Sequence, residues 1–344
     1  MVALAGAALA ALLGFALLPP PWGALALVLN GLPLGMVWGL VVLYLEGRRT
    51  SEVLLAGLSV SYVVASGAVK SVALWLMRDA GLAEAWMPFV TGALFFVPFV
   101  AAVRLLDQLP RPTLEDEALR VRRVPMGGSD RWAFLRAFLP GMLLLLGVYL
   151  LLTAYRDYRD NYMVEVLAEL GHGRRPELLT LTELPVGVLV LAALALLAAL
   201  RDNRRGLIGA YAIMGLGVAL LGGSTALLDA GLLRGDVWIF LTGLGAYLAY
   251  VPFGSVLFDR TIAATRVSAT AVFAIYLADA VGYSGSVALQ LYKDLGAPAT
   301  TRLEFFRQLS YAMAAVGLVG LGAALAWFLR RAPGEPPERP PLTL

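Results

Sequence analysis

Lys70 stands in an apolar stretch long enough to cross a bilayer, running from about Val53 to Met77, and Asp279 stands near the middle of another. A charged side chain at the centre of a membrane helix costs about 2.5–3.5 kcal/mol even on lenient insertion scales, so each marks a candidate functional position. Around Asp279, the residues Tyr276, Tyr283, Ser286 and Gln290 recur at steps of three and four, which puts all five on one helical face. Lipid cannot satisfy such a polar stripe, so the face must look onto protein or water. A carboxylate at that depth is costly to keep charged, which suits a group that takes up and releases a proton. The plainer alternative is an interhelical hydrogen-bond clamp. Around Lys70, Ser59, Tyr62 and Ser66 again share one face. Lys70 lies nearer its span's outer end, where an ammonium can snorkel to the interface. Asn30 heads a series of small residues, Gly31, Gly35 and Gly39, whose spacing suits close helix packing; Asn30 is a further candidate lining residue.

Composition limits what those residues can be part of. The chain has 344 residues, 60% of them hydrophobic and 15% charged, and its mean hydropathy is +0.78. A soluble domain carries about 25% charged residues, so the expectation is an all-α integral membrane protein. There is no cysteine, which excludes disulfides, iron–sulfur clusters and thiolate zinc sites. The one histidine, His172, lies in a polar connection, and histidine-clustered metal chemistry is excluded with it. No cofactor is expected, no glycine-rich nucleotide-binding loop is present, and the chain does not read as an enzyme. The small net charge of +3, with basic residues concentrated between apolar runs, orients a protein in a bilayer and does not suggest nucleic-acid binding.

Ten apolar runs read as spans, near 2–18, 23–45, 53–77, 87–108, 134–154, 183–200, 207–231, 236–258, 267–291 and 305–329. The first lacks a basic flank and so reads as a span and not as a secretory leader. A charged connection at 110–132 divides a four-helix part, 1–109, from a six-helix part, 133–330, and a Pro- and Glu-rich tail, 331–344, reads as disordered. Placing both termini in the cytoplasm gathers most of the basic residues on the inner side, as in an inner-membrane protein. Charged residues at span ends are candidate gates. Arg156, Asp157, Arg159 and Asp160 alternate in sign at the outer end of span five, and the apolar pattern after them suggests an amphipathic extension. Glu46 and Arg48, and Asp202 with Arg204 and Arg205, lie at inner ends. Solvated helix ends and positive-inside anchors are the plainer readings of these groups.

Several segments carry a resemblance: 30–39, 44–49, Arg156-Asp157 with Arg159-Asp160-Asn161, and 279–283. They resemble an uncharacterised bacterial family related to the major facilitator superfamily. The four-plus-six layout looks like the six-plus-six layout of that superfamily without its first two helices. The stretch Arg201-Asp202-Asn203-Arg204-Arg205-Gly206 is similar to its short Asp/Arg/Gly loop motif, with the Gly and Arg order changed. The resemblance implies alternating access by two halves, with Lys70 and Asp279 at pseudo-equivalent positions facing one central space. The expectation is a secondary transporter of a small, anionic organic solute, coupled to protons. Two alternatives stand beside it. One is a non-transporting scaffold, sensor or complex subunit, with a partner or a missing segment covering the gap in the first half. The other is a ten-helix transporter of the drug/metabolite type.

Overall fold

A computed structural model describes residues 1–45, 50–110, 113, 126–171, 177–200, 202–265, 270–296 and 299–331. Among them the structure is helical throughout. The helices are α1 (Val2–Leu17), α2 (Trp22–Leu45), α3 (Ser51–Arg78), α4 (Met87–Asp107), α5 (Gly128–Glu169), α6 (Glu177–Ala198), α7 (Asn203–Asp229), α8 (Gly235–Ser255), α9 (Leu257–Thr265), α10 (Ala271–Leu291) and α11 (Arg302–Arg331). Seven helical segments among the described residues are long and apolar enough to cross a membrane: 22–42, 84–107, 128–169, 203–229, 235–255, 271–296 and 302–331.

The boundaries follow local chemistry. Pro19, Pro20 and Pro21 cannot continue α1, and Leu18 leaves it in an extended conformation. Asp130 accepts a hydrogen bond from the Gly127 amide (3.0 Å) and so satisfies a donor at the start of α5. Asp202 does the same for α7, accepting from the Arg205 amide at 2.6 Å. Two expectations are corrected. The span expected at 134–154 is the middle of one continuous 42-residue helix, α5, which begins inside the charged connection and continues through the expected amphipathic extension. The run expected at 236–258 breaks at Val256, and the short helix α9 follows, with Leu257, Phe258 and Ile262 buried.

The chain divides into two compact units, one of Met1–Arg122 with Leu179–Gly187, the other of Arg123–Leu178 with Val188–Leu344. In the first unit α1 packs against α2 and α4, and α3 packs against both α2 and α4. In the second, α5 is flanked by α10 and α11, α11 packs on α7, and α7 packs on α8. The core of the second unit is aromatic. Tyr155 stacks on Phe306 (4.9 Å between centroids) and donates to or accepts from Ser310, while Trp238 donates to Thr225. In an apolar solvent such hydrogen bonds satisfy polar groups that lipid would leave bare.

Candidate functional site

The seam between α5 and α10 positions Asp279. Ala271, Ala274, Ala278, Gly282 and Gly285 form a buried small-residue face on α10. A Cβ at Gly282 would lie 2.5 Å from Thr153 Oγ1 and 2.9 Å from Tyr149 Cε1, and one at Gly285 would collide with Leu150. Only residues without a side chain allow α5 so close, and the approach brings Tyr149 within reach of the carboxylate next to that face. The Tyr149 hydroxyl donates to Asp279 Oδ1 at 2.6 Å.

Tyr149 extends the cluster to α8. Its ring stacks on Tyr250 (5.3 Å, 16° between planes) and tilts against Phe253 at 4.5 Å. The guanidinium of Arg156, two turns beyond Tyr149 on α5, lies 4.3 Å from the centroid of the Tyr250 ring. Asp157 takes Arg156 Nη2 at 2.6 Å and Nε at 3.2 Å, and Arg156 is near enough to Asp279 to act on it electrostatically. Thr153 Oγ1, in the same seam, is fully buried and has no hydrogen-bond partner. The result is a half-buried carboxylate held by one phenol donor, whose ring packs on Tyr250 and Phe253, with a more distant guanidinium bonded to a carboxylate of its own helix.

The residues singled out in the sequence fall in several places. Tyr276 and Tyr283 flank Asp279 on α10 but are exposed, at 40% and 50%, so the expected stripe runs from open to buried within one helix. Ser286 is buried. Lys70 is exposed on α3 and belongs to the first unit, whereas Asp279 belongs to the second. Tyr62 and Ser66 lie on α3, but their side chains lie outside the described residues, as do Glu46 and Arg48 altogether. Asn30 donates from Nδ2 to the Ala8 carbonyl on α1 at 2.9 Å, which clamps α1 to α2. The close approach expected at Gly31 and Gly35 is not found, because a Cβ at either would meet nothing within 4 Å.

Arg159 is buried (2% exposed), with its guanidinium against Gly243 of α8. Asp160 is half-buried on the same helix. Beyond them the C-terminal end of α5 is tied down. The Glu169 carboxylate accepts from the amides of Arg302 and Leu303 (3.0 and 3.1 Å), while Arg302 pairs with Asp294 at 3.0 Å and lies over Tyr162. At the start of α7, Arg204 and Arg205 are exposed. Asn203 accepts from Arg260 Nη1 at 3.2 Å, and a Cβ at Gly206 would lie 2.8 Å from the same guanidinium. The loop motif's glycine thus makes room for an arginine from α9.

Tyr149, Tyr250 and Phe253 were not legible as site residues. Each sits in an apolar run where an aromatic reads as core, and no periodicity links α5 or α8 to α10. No group of three or more potential metal-ligating side chains occurs among the described residues. No curated protein matches the chain. A family profile matches it over residues 1–331, which takes in every described helix. The chain belongs to that family, a family of unknown function (DUF5690).

Proposed function

We propose that this protein is a secondary active transporter of the major facilitator type, moving a small organic solute by alternating access with Asp279 as its proton-carrying group. The observation that supports this reading is the placement of Asp279. It is an ionisable side chain at the middle of an apolar helix, half-buried, and held by a single phenol donor rather than by a salt bridge. An intramembrane carboxylate of this kind marks an ion or proton pathway by default. In this reading α1, α3 and α6 join the seven long apolar segments to make ten spans in a four-plus-six arrangement. The protein lies in the cell (inner) membrane with both termini in the cytoplasm.

The test is reconstitution into liposomes loaded with a pH-sensitive dye, challenged with a panel of organic cations, anions and neutral solutes. A transported solute drives a pH change in the lumen, and Asp279→Asn removes that change while the variant still elutes as a folded protein. Solute uptake that Asp279→Asn leaves intact overturns the assignment of the proton site. The absence of uptake for every solute class overturns transport and favours a scaffold or sensor.

A further inference from the structure

We propose that the start of α5 and the end of α11 form a binding site for the headgroup of an anionic phospholipid, with the phosphate held by Arg136 and Arg331. The proposal rests on the apolar, membrane-spanning character of these helices and not on the transport reading.

The first turns of α5 lie beside the last turn of α11 within the second unit. Phe138 meets Trp327 and Phe328 there, with ring centroids 6.1 and 6.0 Å apart. Arg331 crosses the seam and donates from Nη1 to the Ala137 carbonyl at 2.6 Å, one residue along α5 from Arg136. Each of these two guanidiniums lies over a tryptophan one turn away on its own helix. Arg136 is 5.0 Å from the Trp132 ring centroid, and Arg331 is 4.2 Å from that of Trp327. Gly141 makes room for the second ring, since a Cβ there would lie 2.5 Å from Trp327 Cε3. Arg131, 5.8 Å from the Phe273 ring, and Arg330 add two more cations at the same end.

Charge and access both fit a phosphate. Among the described residues no carboxylate pairs with Arg131, Arg136, Arg330 or Arg331. The one acidic residue in either stretch, Asp130, accepts from the Gly127 amide at the start of α5. All four arginines are exposed. A guanidinium over a ring uses its face and keeps its edge N–H groups for the oxygens of a phosphate. Arg331 gives one of those donors to Ala137, and Arg136 makes no hydrogen bond among the described residues.

The surface next to the arginines favours a lipid over a free phosphate. Trp132, Arg136, Leu139 and Leu143 recur at steps of four, three and four, so they share one face of α5, and all four are exposed. On α11 the exposed Val319 and Val316 lie about two and three turns from Trp327 towards the middle of the helix. A headgroup at the arginines therefore has bare apolar helix beside it for its acyl chains. Tryptophan marks the boundary, where its amphipathic ring is favoured. In the proposed orientation this end meets the cytoplasmic leaflet, whose anionic lipids attract basic clusters.

The experiment is equilibrium binding of acyl-labelled phosphatidylglycerol and phosphatidylcholine to the purified full-length protein in detergent at physiological salt, read as fluorescence anisotropy. The expected result is phosphatidylglycerol bound about tenfold more tightly than phosphatidylcholine, a preference that Arg136→Gln/Arg331→Gln removes. Arg136→Gln alone breaks no hydrogen bond among the described residues, and it weakens phosphatidylglycerol binding about fivefold. That single variant keeps the site testable where the double variant fails to fold. Arg204→Gln/Arg205→Gln removes the same net charge elsewhere on the second unit and leaves the affinity unchanged. Equal affinity for the two lipids, no loss in Arg136→Gln, or an equal loss in Arg204→Gln/Arg205→Gln overturns the proposal. Displacement of phosphatidylglycerol by millimolar inorganic phosphate overturns the lipid assignment and makes this a site for free phosphate.

Discussion

At Asp279 three neighbours act by three different means. Tyr149 gives a short neutral hydrogen bond, Arg156 acts through space, and the α10 backbone presents the carboxylate beside a face of alanine and glycine. Removing one of these contributions is distinguishable from removing the carboxylate itself. Tyr149→Phe deletes a donor and keeps both ring contacts, so it slows the proposed proton-linked uptake by about three- to tenfold, the scale of one hydrogen bond. The pH dependence of that uptake survives in Tyr149→Phe and disappears in Asp279→Asn, as read from initial rates between pH 5.5 and 8.5. Arg156 and Asp157 form a part-buried pair of sequence neighbours. Asp157→Asn removes the charge bonded to that guanidinium in a poor solvent, and it lowers the melting temperature in detergent.

Among the elements, α10 depends on glycine for its contact with α5. Gly282→Leu and Gly285→Leu insert side chains where Thr153, Tyr149 and Leu150 already sit. Overpacking of this kind costs about 1–3 kcal/mol, seen as a lower melting temperature. Gly31→Leu on α2, where a Cβ meets nothing within 4 Å, is the matched control and leaves the melting temperature unchanged. At the C-terminal end of α5, Glu169 caps α11 from another helix. Loss of a cap costs about 1 kcal/mol, so Glu169→Ala speeds hydrogen exchange of the amides from Arg302 to Phe305 while exchange in the middle of α11 stays slow. The motif glycine Gly206 has a comparable role for Arg260, which gives that stretch a packing function independent of any gating one.

For the molecule as a whole, the proposed topology is open to a direct measurement because the chain contains no cysteine. Leu232, 76% exposed after α7, lies outside the cell in the proposed orientation, and Arg204, exposed at the start of the same helix, lies inside. A membrane-impermeant maleimide labels Leu232→Cys in intact cells and labels Arg204→Cys only after lysis. The opposite pattern inverts the orientation. The length of α5 bears on the same scale. A helix of 42 residues is about 63 Å long, roughly twice the hydrocarbon thickness, so part of it stands outside the bilayer and carries the Glu169 and Tyr162 contacts with the start of α11 and the turn before it.

Hydropathy alone was enough to locate the apolar helices and to mark Asp279 as an anomaly within one of them. Each of these depends on residues close together in sequence and on a solvent that excludes charge and bare backbone. The polar steps from Tyr276 to Gln290 were legible for the same reason, although not which members of the stripe would be buried. The partners of Asp279 were decided only in three dimensions. Tyr149 lies 130 positions away, and whether an aromatic in an apolar run packs or serves as a donor depends on which helix reaches it. That was set by Gly282 and Gly285, whose missing side chains let two helices meet at one hydroxyl. The placement of the Arg156 guanidinium over the Tyr250 ring was likewise a matter of tertiary packing, since sign alternation along a helix does not say which charge its neighbours will enclose.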